Sequence, residues 1–149
     1  MRYSFSQAYP EHVDLIKMKD VYSVGELGCV RDLVALSRPG NDQAIAQVFG
    51  SPGSVYGIVG SYRQWPGSAQ LWGLFDDRVD RYPIALYKTC ALLLNYAVQK
   101  QGLRRVSLTV NASYTKGNRF AQALGFDLEG RMVGYLPDGS DANLYARLF

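Results

Sequence analysis

The residues from Gly102 to Phe126, GLRRVSLTVNASYTKGNRFAQALGF, constrain the fold more than any other stretch of the chain. Gly102 stands where a preceding helix needs a stop, and Val106, Leu108 and Val110 alternate as one face of a strand. A helix-length run follows and closes on Gly125, so the stretch encodes strand, helix and strand as one core unit.

The segments before it supply what that unit packs against. Ala85–Gln101 is the strongest helix in the sequence, with Leu86, Cys90, Leu93, Leu94 and Ala97 at helical spacing and Gly102 as its stop. Upstream lies a meander in which QAIAQVF, SVYGIVGSY and AQLWGLF read as strands, joined by turns at SPGS and QWPGS. Gly57, Gly60 and Gly73 inside these strands mark bulges or close backbone approach. Residues 2–7 read as a short first strand, Tyr9 to Met18 as a helix opened by Pro10 and Glu11, and Asp20 to Ser37 as a second helical region ended by Pro39 and Gly40. Asp76 to Asp80 is a polar junction read as solvated. Phe126 to Tyr135, a turn at Pro137-Asp138-Gly139 and a last strand through Leu144, Tyr145 and Leu148 complete the order β-α-α-β-β-β-α-β-α-β-β.

With 149 residues the chain reads as one domain over 1–149, and 48% apolar with 19% charged residues places it among globular proteins. No apolar run approaches the ~20 residues that span a bilayer, and the N-terminus carries no apolar leader, so the expectation is a cytoplasmic protein without membrane insertion. Cys29 and Cys90 sit far apart without a Cys/His cluster, which fits reduced, buried thiols and no metal site. His12, the single histidine, is expected to face solvent at a helix start. A net charge of +3 with scattered basic residues argues against a nucleic-acid partner. Eleven tyrosines fit an interaction surface for other protein subunits or for self-association, and equally a tyrosine-rich core edge.

The element order, with "V-N" at Val110-Asn111 and "GF" at Gly125-Phe126, resembles the GNAT N-acyltransferase fold. That resemblance implies a single-domain α/β (α+β) protein, with a central mixed, twisted sheet of about seven strands flanked by about four helices. In that family the loop before the long helix binds the pyrophosphate of acetyl-CoA through R/Q-x-x-G-x-G/A, because glycine lets backbone N–H groups crowd round phosphate oxygens at a helix N-terminus. Here the motif falls on Tyr82, Ala85 and Tyr87 in RYPIALYK, with no glycine between Gly73 and Gly102, and Pro83 removes a donor. Arg81 and Lys88 remain to attract an anion. The tyrosine that protonates the departing thiolate in many relatives is replaced by Ala121, and AQLWGLF lacks the carboxylate that deprotonates the acceptor. Asp76 and Asp77 follow that strand. Of the family's N-x-x-N pattern Asn111 survives, while Tyr114 takes the second place.

The resemblance therefore implies no catalytic residues and no cofactor, with a vestigial CoA groove at Phe75, Tyr82, Ala85, Tyr87 and Asn111. LWGLFDD, the glycine-free RYP junction, V-N and GF also resemble the degenerate GNAT-like proteins of short-tailed bacteriophages. By that resemblance the chain is a non-catalytic interaction component of a virion or its assembly. The alternative is an acetyl-CoA-dependent N-acetyltransferase with a divergent loop, Tyr114 and Asp77 then serving as its acid and base. A third reading keeps the gap between the fourth and fifth strands as a slot for an extended peptide. Tyrosine rings filling the gap would argue against it.

Overall fold

Glycine and proline punctuation sets the strand lengths in this chain, and alternation within each strand sets which side chains go inside. A computed structural model describes residues 4–16, 32, 34–37, 41, 43–51 and 54–149. Strands β1 (Ser4–Gln7), β2 (Ala44–Ser51), β3 (Ser54–Trp65) and β4 (Ser68–Phe75) run as an antiparallel meander. Helix α1 (Pro83–Gln101) leads to β5 (Arg105–Asn111), helix α2 (Thr115–Ala123), β6 (Asp127–Met132) and β7 (Ala142–Leu148). The seven strands form one sheet in the order β1-β2-β3-β4-β5-β7-β6.

The sheet changes character at its centre. Strand β4 meets β5 in parallel, the one parallel pairing among the described strands, and only at Ser68↔Arg105, Ala69↔Val106 and Gln70↔Ser107. Beyond Gln70, β4 follows β3 as far as Phe75, while β5 follows β7 as far as Asn111. The strands splay, and a V-shaped gap opens toward their C-terminal ends.

Each face of the sheet is covered. On one, Ala69, Leu71, Val106, Leu108 and Tyr145 pack against Leu86, Cys90, Leu93, Leu94 and Ala97 of α1 and Ala121 of α2. On the other, Val48, Ile58, Trp72 and Leu74 pack with Val13, Ile16 and Val34. Successive β4 residues thus serve opposite faces, as strand geometry requires. Gly60 is fixed by close approach: a Cβ there would lie 2.4 Å from the Trp72 ring and 2.5 Å from the Ile45 carbonyl oxygen. Helix α1 stops at Gly102, whose φ of 61° is the left-handed conformation glycine adopts without a Cβ penalty.

Several expectations need correction. The first helix is a 3-10 helix over Pro10–Leu15, and His12 does not simply face solvent: its Nδ1 accepts a 2.9 Å hydrogen bond from the Tyr9 backbone N–H. Pro83, not Ala85, is the first residue of α1, since proline fits a first turn that lacks an intrahelical partner. The final strands are shorter than read, because the 133–141 segment turns. Most of the second helical region, Asp20 to Ser37, lies outside the described residues, as does Cys29, although Asp32, Val34, Ala35 and Leu36 are helical.

Two expected measurements arise from this scaffold. Thr109 is 4% exposed and its Oγ1 has no hydrogen-bond partner. Thr109→Val should therefore raise stability by about 1 kcal/mol in urea denaturation, since it removes an unsatisfied buried hydroxyl. At the β6–β7 end, the Arg105 guanidinium holds the Glu129 carboxyl below its ordinary pKa. Hydrogen bonds from Ser140 do the same for Asp138, and those from the Gly134 amide and Arg131 for Asp141. A carboxylate with a lowered folded-state pKa stabilises the fold above its unfolded value and loses that contribution as pH falls through the folded value. Acid unfolding followed by circular dichroism should accordingly begin below the ordinary carboxylate range, and Asp141→Asn should make that acid limb shallower.

Candidate functional site

The gap between β4 and β5 is an open groove of about 470 Å³. Its floor and walls are Phe75 of β4, Leu108 and Val110 of β5, Val79 of the 3-10 helix Asp77–Arg81, Pro83 and Leu86 at the start of α1, and Tyr114, Gly117, Phe120 and Ala121 from α2 and the residue before it. Asp80, Lys116 and Arg119 stand at its mouth, where Lys116 Nζ donates to Asp80 Oδ2 at 2.8 Å. The walls are apolar and the rim is charged, the pattern of a site that buries a chain and holds a polar group at its entrance.

The connection from β4 to α1 shapes one side. Asp76, 3% exposed, caps the 3-10 helix Asp77–Arg81 by accepting from the Arg78 amide at 2.9 Å, and its carboxylate also accepts from the Arg78 guanidinium at 3.0 and 3.1 Å. Arg78 donates onward to the Val55 carbonyl at 2.6 Å, and its guanidinium lies 4.7 Å from the Tyr56 ring centroid. The hydrogen bond to Asp76 raises the Arg78 pKa further above its ordinary value. This junction is a locked, ion-paired turn, not the solvated approach expected from its polarity. Helix α1 then begins with no side-chain cap from Tyr82 and no acidic residue in its first turn, so the positive end of its dipole is not countered locally.

The other side is built on α2. A Cβ at Gly117 would lie 2.4 Å from the Tyr114 ring, so glycine there is what lets that ring lie along the first turn. Asn111 Oδ1 accepts from the Ser113 amide at 3.0 Å and its hydroxyl at 2.8 Å, which turns the chain out of β5. Asn118 ties the helix down. Its Nδ2 donates to the Asn111 and Tyr114 carbonyls at 3.1 and 2.7 Å, and its Oδ1 accepts from Asn143 Nδ2 at 2.8 Å and the Tyr145 hydroxyl at 2.7 Å.

Of the residues singled out from sequence, Phe75, Tyr114 and Ala121 line the groove, while Asp77, Tyr82, Ala85, Tyr87 and Asn111 do not. Asp77 is exposed on the 3-10 helix, and Asp80 is the carboxylate at the mouth. The two tyrosines do not fill the gap. Tyr82 stacks on Tyr56, rings 5.9 Å apart and 7° from parallel, and Tyr87 projects outward at 41% exposure. Sequence reasoning missed Asn118, Lys116 and Arg119, although the one-turn spacing of Lys116 and Arg119 places both on one helix side.

A central sheet with one short parallel pairing, a splay beside it and a long helix rooted at its mouth defines the GNAT N-acyltransferase fold, and this chain has it. Ard1 from Thermoplasma volcanium superposes with a TM-score of 0.76 at 17% identity, over 98% of this chain and 97% of that one. Ribosomal-protein-S5-alanine acetyltransferase from Vibrio fischeri gives 0.76 at 16% identity, over 98% and 92%. RimL, a ribosomal-protein α-N-acetyltransferase solved in complex with coenzyme A, gives 0.73 at 17% identity, over 99% and 94%. No protein-family model and no curated protein matches the chain by sequence. These similarities support the fold, and none of them bears on a virion role. Among the described residues no helix is long and apolar enough to cross a membrane.

Proposed function

We propose that the chain is an acyl-CoA-dependent N-acyltransferase, with acetyl-CoA as the first substrate to test. The observation that carries this reading is the open groove of about 470 Å³ at the splay, which Tyr82 and Tyr87 leave clear. This reading replaces the expectation of no cofactor. The residues present fit the group: Phe75, Leu108 and Val110 would flank a pantetheine chain, while the uncapped start of α1 with Lys116 and Arg119 would hold phosphate. Glycines are absent from the loop, but the first-turn amides of Ile84 and Ala85 remain.

Bound acyl-CoA supplies a thioester carbon, to which an amine nitrogen bonds as the C–S bond breaks and the amine's proton passes to the sulfur. Tyr114 is the phenol on the groove and can deliver a proton there, the part that Ala121 has no group to play. Asp80, paired with Lys116, replaces Asp77 as the carboxylate within reach of the mouth.

Calorimetry with acetyl-CoA, and CoA beside it, tests the reading: micromolar binding is expected, and no heat at millimolar ligand would end it. Lys116→Glu combined with Arg119→Glu should weaken binding about tenfold or more at low salt and less at high salt. Tyr114→Phe should lower kcat about a hundredfold with KM nearly unchanged. A second reading, a non-catalytic phage virion or assembly component, draws on the outward face of α1, where Ile84, Leu92 and Tyr96 are 69%, 68% and 54% exposed. It requires the same titration to be silent.

A further inference from the structure

A second, smaller cavity of about 60 Å³ lies deeper in the splay, beneath the groove. The two share Phe75, Leu108 and Phe120, which line both where they adjoin. The groove touches β4 only at Phe75, near the open end of the V. The smaller cavity touches it from Leu71 to Phe75, beginning one residue beyond the last paired position, Gln70. A chain entering from the mouth with its tip toward the apex therefore points into this cavity. Its far wall is Val59, Leu71, Cys90 and Leu93.

None of those four side chains brings a charge. Cys90 is 3% exposed, and burial pushes its thiol pKa up to about 12, so it stays a neutral, inert thiol and acts as a small apolar wall residue. A dry apolar cavity of about 150 Å³ accepts a benzene ring, which scales 60 Å³ to roughly two carbon atoms.

We infer that this cavity is an acyl-extension pocket and that the site takes thioesters longer than acetyl, with butyryl the best fit. The inference rests on the acyl-CoA reading above. It adds what that reading leaves open, which acyl group the groove selects. Cys90 limits the depth of the pocket from the side of α1.

Calorimetry of acetyl-, propionyl-, butyryl- and hexanoyl-CoA on the full chain tests this. Two further methylenes buried in apolar surroundings should make butyryl-CoA bind about tenfold tighter than acetyl-CoA, with affinity falling again at hexanoyl. Cys90→Leu should abolish the gain of butyryl over acetyl by filling the cavity. Cys90→Ala, which deepens it, should move the optimum toward hexanoyl, so the inference stays open to test even if the larger side chain prevents folding. Acetyl-CoA binding with flat or falling affinity along the series would overturn the pocket while leaving the acyltransferase reading intact. Silence with every thioester would overturn both.

Discussion

Asn118→Ala is expected to remove about 3 kcal/mol of stability, read as a lower urea midpoint at unchanged m-value, and to lower Tm by roughly 10 °C. The size follows from what the substitution leaves behind. The Tyr145 hydroxyl belongs to a residue only 2% exposed, and it would lose its 2.7 Å acceptor. Asn143 Nδ2 loses the same oxygen, and the Asn111 and Tyr114 carbonyls lose their shared donor. An orphaned buried polar group costs more than the hydrogen bond it once made was worth. Asn118→Asp keeps the accepting oxygens and loses the donor, so it should fall between wild type and alanine. A loss below about 1 kcal/mol for alanine would mean that water replaces these partners and that the hub is not closed.

Asp76→Ala should destabilise the fold by about 1–3 kcal/mol, since it removes the cap of the 3-10 helix and leaves the partly exposed Arg78 guanidinium without its carboxylate. The carboxylate is 3% exposed and serves two purposes: capping the 3-10 helix Asp77–Arg81 and orienting the Arg78 guanidinium toward the Val55 carbonyl. Val79 and Asp80 on that helix line the groove, so loss of the cap should also weaken acyl-CoA binding. Paired replacement of Asp76 and Arg78 by apolar residues should recover part of the stability but not the binding. Equal recovery of both would show that the turn does not shape the site.

The sheet was readable because its signals are local. Alternation gives a strand, Pro66-Gly67 and Pro137-Asp138-Gly139 give turns, and Gly102 ends a helix whose apolar face is visible in five residues. The site was far less readable. Counting along α1 located Tyr82 and Tyr87 but not their directions: Tyr82, just before the helix at φ −134° and ψ 50°, meets Tyr56 of β3. Asp76 and Asp77 are adjacent carboxylates with opposite fates, and what separates them is the Val55 carbonyl at the end of Arg78's reach. Asn118 looks like any polar residue on a short helix, and its partners Asn143 and Tyr145 arrive from β7. The missing glycines suggested a closed cofactor loop, yet the volume of the groove is set by the splay of two strands, which no loop motif reports. The virion assignment rested on that eroded loop, on the missing acid at Ala121 and on the abundance of tyrosine, and gained no structural support.

The meeting of β4 with β5 over only three positions has a mechanical consequence. The sheet is two half-sheets, β1 to β4 and β5-β7-β6, joined by three rungs and by the layer of α1 above them. Shear between the halves is resisted where those rungs lie and much less where the strands have parted. A ligand lying along both open edges would lengthen the seam, so the halves should melt as one block when it is bound and as two loosely linked blocks without it. Native-state hydrogen exchange would register this as a merging of opening energies on either side of the cleft.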